Sequence, residues 1–502
     1  MIPPASASLA FVLLCAAVAA TPSVAQEAPA APAPAAPAEA VDAALDAKLD
    51  AAQAALDDDR FDDARALLEA ARATKEPGTE PARLLELLAD AAWRGGDLEI
   101  AGGLYAAVHE QRPKSRRSLI GLARLALARG DGEEALALSE TSLATSPNEP
   151  ELWLLNCAAL MRANRLPEAI AARQRADVLI AQARAAGRAE PRRVRAALDV
   201  VRIAGLGEVT VHRHEYITRL EYEVRAGLPV VDATLRGTGD RSVSVPIVID
   251  TGGSFCLTLD DSVGEALDLS RVPGGSIEGV ERGARETSYA TVPFLDLGGW
   301  TVSDAPALLY PVPSEPTLRA RADPPYRGVL GTAMLQRRML VFAPKLHAIR
   351  LMTGRFGQAS LLEEEQRRAT AIPFFLVADG KIVLRAEVGG VGVLALLDTG
   401  AAATALSARL ARTLRERADA AVDPARDPAK EPAAPSPLRV RWSGCEIPIA
   451  ESIAAATVRS NLDERVSPRL GVEVSLLLGM DFVARCDRLV VDYVHQQILI
   501  VL

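Results

Sequence analysis

The sequence predicts a multidomain chain: an all-α helical-repeat region followed by two mostly-β domains built on one plan. Three observations carry this. A stretch rich in Ala, Leu, Glu and Arg repeats with a 34-residue period. After about Val200, short apolar runs separated by glycines take over. Those runs fall in the same order twice, and each set contains an Asp-Thr-Gly.

The chain has 502 residues, room for about three domains at ~150 residues each. It is 49% hydrophobic and 24% charged, so it can build cores. Its net charge of −9, with no basic stripe to neutralise phosphates, argues against a nucleic-acid partner. An apolar run from Leu9 to Ala20 precedes Ser23-Val24-Ala25, a small-x-small pattern. Residues 1–25 therefore read as a signal peptide cleaved before Gln26, although no Lys or Arg precedes the run. The run is short for a bilayer, which favours cleavage over an anchor. No other run reaches spanning length, so an exported, periplasmic or extracellular protein without a membrane span is expected. Removing Cys15 leaves Cys157, Cys256, Cys445 and Cys486. An oxidising compartment permits disulfides, and Cys445 with Cys486 is the pair worth considering. Free buried thiols are the alternative.

Residues 26–41 read as a Pro/Ala linker. Helical texture fills 42–190. Ala101, Ala135 and Ala169 are 34 residues apart, as are Pro113 and Pro147. Each alanine follows a polar turn: Gly95-Gly96-Asp97, Gly130-Asp131-Gly132 and Asn164-Arg165. Tyr105 stands one helical turn after Ala101, and Phe61 to Ala64 marks an earlier unit. A small residue where helices approach, an aromatic one turn on and a closing proline resemble tetratricopeptide repeats. The resemblance implies a stacked scaffold with a concave surface for a protein or peptide partner. A plain helical spacer is the bland alternative.

The β-rich texture divides into 215–355 and 370–502, with polar, helical or loop-like residues between. In each copy an apolar strand ends in Asp-Thr-Gly: Val245 to Asp250, and Val393 to Asp398. In each, a later apolar strand ends in Leu-Gly, at Leu330-Gly331 and Leu478-Gly479. The aspartate-to-glycine separation is 81 residues in both copies (250 to 331, 398 to 479). Two short strands then close each copy.

This pattern resembles the pepsin-like and retropepsin-like aspartic proteases, with two acid-protease domains forming a bilobal pair over about residues 215–502. The resemblance implies that Asp250 and Asp398 are the catalytic pair. It implies that Thr251 and Thr399 lock the two loops through hydroxyl hydrogen bonds. Gly252 and Gly400 would let backbone pass where a Cβ would clash. Leu330, Gly331, Leu478 and Gly479 would thread beneath the loops. Residues 273–292 could form a glycine-rich flap, with Tyr289 as a candidate substrate contact. Residues 423–437, in the matching interval of the second copy, read as disordered linker.

Chemically, two carboxylates at close range cannot both ionise. The ionised one can take a proton from water while the protonated one donates to a scissile carbonyl. No cofactor or metal is called for. Pepsin-like sites usually follow the tripeptide with hydroxyl residues, whereas Gly253 and Ala401 stand here. One position on, Ser254 faces Ala402 in the other copy, so a support hydrogen bond is expected to be missing there. The sequence thus points to an exported aspartic endopeptidase with a recruiting helical domain. Its rival is an inactive protease fold kept as a peptide-binding scaffold. His212-x-His214 lacks a third ligand cluster, and Gly390-x-Gly392-x-x-Ala395 enters a strand rather than a helix. A fragment beginning near residue 200 is expected to retain cleavage of small peptides.

Overall fold

The computed structural model describes residues 38–186 except 59, 77 and 164, and residues 210–502 except 213–216, 254, 279–283, 313–323, 337, 353–360, 362, 378–379, 421–436 and 443. The signal segment 1–25 lies outside the described residues. The linker reading overshoots. Helix α1 (Ala38–Asp57) already covers Ala38 to Val41, because the prolines stop at Pro37 and strong helix formers follow.

Seven more helices follow: α2 (Phe61–Arg72), α3 (Ala82–Arg94), α4 (Leu98–Gln111), α5 (Arg116–Ala128), α6 (Gly132–Thr145), α7 (Pro150–Arg162) and α8 (Leu166–Ala185), with α3 packed on α4, α5 on α6 and α7 on α8 as pairs. Ala64, Ala101, Ala135 and Ala169 are all fully buried. The 34-residue period is thus the spacing of points where helices approach too closely for a larger side chain. The Tyr105 ring occupies the space where a Cβ on Gly121 would stand, which explains the aromatic one turn on. The turns inside the pairs are tight because Gly96 and Gly130 take positive φ (73° and 80°), ending α3 and α5 in the left-handed conformation.

The first β half contains β1 (Thr210–His212), β2 (Ile217–Glu221), β3 (Glu223–Arg225), β4 (Leu228–Arg236), β5 (Ser242–Ile249), β6 (Leu257–Leu259), β7 (Val272–Glu278), β8 (Ala284–Leu297), β9 (Trp300–Leu309), β10 (Gly328–Leu330), β11 (Met339–Ala343) and β12 (Ala348–Met352). It begins earlier than the sequence suggested, because β1 pairs with the long edge of β9. The second half contains β13 (Thr370–Val377), β14 (Lys381–Val388), β15 (Val391–Leu397), β16 (Ala405–Ser407), β17 (Leu438–Trp442), β18 (Cys445–Ala450), β19 (Val458–Arg459), β20 (Val474–Leu478), β21 (Arg488–Asp492) and β22 (Gln497–Val501). A short helix, Glu363–Arg368, lies between the halves.

The two halves share a sheet. β11 of the first half pairs antiparallel with β21 of the second, Met339 opposite Asp492. The path β2-β12-β11-β21-β22-β13 therefore runs from one half into the other. Its central strands β11, β21 and β22 are mostly apolar and buried, while the edge strand β2 alternates exposed and buried residues. One hydrophobic core includes Leu340 and Phe342 from the first half and Leu489 and Val491 from the second. Cys157, Cys256, Cys445 and Cys486 are all buried, and Cys445 and Cys486 stand as thiols and not as a disulfide pair. Burial holds the Cys157 and Cys486 thiols up at about 12. Among the described residues, no helix is long and apolar enough to cross a membrane.

Candidate active site

Each Asp-Thr-Gly hangs from a parallel strand pair. β5 runs parallel to β10, with Ile249 beside Leu330. β15 runs parallel to β20, with Leu397 beside Leu478. The ladder continues into the loops. The Asp250 amide donates to the Leu330 carbonyl at 2.9 Å, and that of Asp398 to the Leu478 carbonyl at 3.0 Å. The equal 81-residue spacing in sequence thus corresponds to one repeated pairing.

The glycines after those strands pass beneath the loops. A Cβ on Gly331 would stand 2.8 Å from the Gly253 carbonyl oxygen, and one on Gly479 at 2.8 Å from that of Ala401. Thr332 donates from its amide and its hydroxyl to the Gly253 carbonyl, both at 2.8 Å. In the second half the Met480 amide donates to the Ala401 carbonyl at 2.8 Å.

The two loops meet across the pseudo-two-fold axis. The Thr251 hydroxyl donates to the Leu397 carbonyl (3.1 Å), and the Thr399 hydroxyl to the Ile249 carbonyl (2.7 Å). Each hydroxyl also accepts from the other threonine's amide, at 3.0 and 3.1 Å. Both threonines are fully buried, so all four bonds are shielded from water. Asp250 and Asp398 are consequently held side by side within one chain, only partly exposed.

The carboxylates are unequally supported. Asp250 Oδ1 accepts from the Gly252 amide (2.7 Å) and the Gly400 amide (3.1 Å), while Asp398 Oδ1 accepts from Gly400 alone among these (3.0 Å). Burial raises the proton affinity of both. For Asp250, its amide donors and its hydrogen bond with Asp398 oppose that rise. For Asp398, the charge of Asp250 and their shared hydrogen bond add to it. The pair titrates together, and the geometry favours the state with Asp250 ionised and Asp398 protonated.

Other expectations fare differently. Ser254 lies outside the described residues, as does nearly all of 423–437. The second half supports its loop through Thr404, whose amide and hydroxyl both donate to Asp481 Oδ1 at 2.7 Å. Nothing in the sequence marks that pair, because neither residue adjoins a tripeptide. β7 and β8 form the expected hairpin, but Tyr289 is not at its open surface. It is 2% exposed, paired opposite Val272 and packed with Leu308, Phe255 and Tyr310. In this conformation it is unavailable as a substrate contact, because β9 pairs alongside it and encloses the ring.

Residues 126–189 match the family model of the tetratricopeptide repeat. Solved structures similar to part of the chain include a tetratricopeptide protein from Thermus thermophilus (18% identity, 32% of this chain and 82% of that one, TM-score 0.28). MamA from Desulfovibrio magneticus RS-1 matches at 17% identity over 32% of this chain and 85% of that one, TM-score 0.26. Basic 7S globulin from soybean matches at 12% identity over 57% of this chain and 94% of that one, TM-score 0.37. Among curated proteins none matches the chain.

The tetratricopeptide repeats do not stand apart from the β halves. Successive intra-pair turns touch successive parts of the β region. Asp62, at the start of α2, pairs with Arg409 at 3.5 Å. The Gly96 carbonyl accepts from Arg385 (2.8 and 3.2 Å), which also pairs with Asp97 at 2.9 Å. A Cβ on Gly130 would meet Gln496 at 3.2 Å. Arg162, at the end of α7, donates to Gln336 of the first half at 2.8 Å. A shared apolar cluster joins Trp93, Tyr105 and Leu125 to Phe375, Val383, Leu394 and Leu396. On β15, Leu394 and Leu396 face the same side as Asp398. The repeats therefore cover the β15 face that leads to the dyad, and a repeat-free fragment would expose this cluster.

Proposed function

We propose that this chain is an exported aspartic endopeptidase. The observation that carries the reading is the pairing of the Asp250 and Asp398 carboxylates, which both accept from the Gly400 amide and sit on loops locked by reciprocal threonine bonds. Two carboxyls pressed together in a half-buried site are costly unless one proton is shared, and a shared proton makes one a base and the other an acid. In this role Asp250 takes a proton from a water held between the pair. The resulting hydroxide oxygen bonds to the scissile carbonyl carbon, and Asp398 gives its proton to the carbonyl oxygen. Transfer of a proton to the amide nitrogen then releases the two peptide products. The chemistry needs no metal or organic cofactor.

The signal-like segment Leu9 to Ala25 supports export. Tetratricopeptide repeats support a protein partner, and recruitment of a protein substrate is the role proposed for them here. The test is hydrolysis of an unfolded protein across pH, with and without a statine-type inhibitor. Inhibitor-sensitive cleavage lost in Asp250→Asn is the expected result. Absence of any cleavage by the intact chain would leave the fold as a binding scaffold.

A further inference from the structure

The pseudo-two-fold symmetry around the dyad is broken by one charge. In the second half Ile382 pairs with Leu397, so the register sets Lys381 opposite Asp398. In the first half Val230 pairs with Val248, so the same register sets Leu228 opposite Asp250. Each follows a glycine of positive φ, 84° at Gly380 and 78° at Gly227, so the two strands begin alike. Directly opposed residues of antiparallel strands project to one face, with Cβ atoms ~4.5–5.5 Å apart. Leu228 is buried in an apolar cluster with Val230 and Val248. Lys381 is half-buried, and its positive charge favours the ionised form of both Asp250 and Asp398.

We propose that Lys381 is a positioning residue for the dyad: its ammonium holds the carboxylate pair in the singly ionised state that can accept a proton from water. The inference rests on the proteolytic reading of the site. Its need follows from the neighbours. Burial opposes ionisation of both aspartates, and neither Gly253 nor Ala401 offers a hydroxyl to offset it. The other charged or titratable groups around the dyad do not replace Lys381. Tyr493 is buried near Asp250, and its hydroxyl proton is held more tightly by burial and by that charge. Arg162 acts on the Tyr493 hydroxyl and is engaged with Gln336. Arg385, farther along the same face of β14, is tied to Gly96 and Asp97.

The sign is definite. Removing a cation raises the proton affinity of the pair, so both limbs of the activity profile move to higher pH. The experiment compares the full-length protein with Lys381→Met and Lys381→Arg, using a peptide whose side chains flanking the scissile bond are uncharged. Lys381→Met should move both limbs of the kcat/KM profile upward by about one pH unit, as removal of a charge at close range implies. KM at the new optimum should be little changed, and Lys381→Arg should keep the wild-type profile. A second readout needs no turnover: the pH dependence of Tm, which follows the pair's ionisation. Turnover with neither profile moved by Lys381→Met overturns the proposal. So does an effect confined to KM for acidic substrates, which would make Lys381 a substrate contact. A moved Tm profile in a protein that cleaves nothing keeps Lys381 in place and instead rejects the proteolytic reading.

Discussion

A Cβ on Gly400 would stand 2.5 Å from Oδ1 of Asp250, the carboxylate of the other half. The relationship is reciprocal, since a Cβ on Gly252 would stand 2.7 Å from Oδ2 of Asp398. Neither glycine's role is conformational; φ is not positive at either. Each is small because the opposite aspartate occupies the space. Gly400→Ala should therefore push Asp250 out of line. Overpacking of this kind costs about 1–3 kcal/mol, and misplacement by ~1 Å costs about 10²-fold in rate. A lowered Tm with at least that loss of kcat is expected. Near-normal turnover would show that the dyad does not need this approach.

Stability should depend on the dyad's ionisation. The ordinary carboxyl value is 3.8, and in the fold Asp398 is raised to about 8. A raised value means that the folded state binds the proton more tightly than the unfolded one. Its contribution is thus fully present below 3.8 and is lost as pH rises through about 8. Tm should decline across that window, and the decline should be smaller in Asp398→Asn. Differential scanning calorimetry of both proteins at several pH values checks this. Identical slopes would mean the pair is not coupled to folding.

A hydroxyl placed beside Asp398 should shift activity to lower pH. Ala401 follows the second tripeptide and has a Cβ already accommodated, whereas a Cβ on Gly253 would stand 2.8 Å from Asp250 Oδ2. Ala401→Ser is therefore the less disruptive substitution. Donation to the carboxylate favours the anion, so the alkaline limb, which follows loss of the Asp398 proton, should move down. An unchanged or alkaline profile counts against a dyad limited by its missing hydroxyls.

Much of this arrangement is readable without coordinates. The 34-residue alanine period marks helix crossings, and that spacing survives because no larger residue fits there. The two Asp-Thr-Gly tripeptides and their Leu-Gly partners are legible because pairing of parallel strands fixes the distance between them. What hid from the sequence was contact between distant segments. Lys381 becomes notable only once the register of β14 sets it opposite Asp398. Arg385, an exposed-looking charge in a strand, bonds a repeat turn 289 residues away. Tyr289 looked accessible in a glycine-rich segment because nothing local announces that β9 pairs beside it.

The repeats should be inseparable from the β halves. The sequence suggested that a fragment starting near residue 200 would keep cleaving small peptides. Loss of the helices would instead uncover Phe375, Val383, Leu394 and Leu396 together and free Arg385 from Gly96 and Asp97. Exposed apolar surface of this kind favours aggregation. The fragment should express poorly, bind a hydrophobic dye and lose turnover on small peptides as well as on proteins. Arg385→Ala in the full chain is the milder test. It removes an ion pair and hydrogen bonds on a largely exposed side chain, worth about 0–1 kcal/mol, so a slightly lower Tm is expected. A soluble, fully active fragment would show that the interface is dispensable.

The final prediction concerns which aspartates work together. The threonine bonds join Thr251 to Leu397 and Thr399 to Ile249 within one chain, and β11 and β21 join the halves a second time. One chain therefore holds a complete pair. Asp250→Asn and Asp398→Asn should each abolish turnover, and mixing the two variants should restore nothing. Symmetric pairing between chains would instead leave each variant partly active. Crossed pairing between chains would give dead variants that regain activity on mixing and refolding. Activity of the wild-type protein should stay proportional to its concentration on dilution, because no second chain is needed to complete the site. Rescue on mixing, or specific activity that falls with dilution, would move the dyad to an interface between chains.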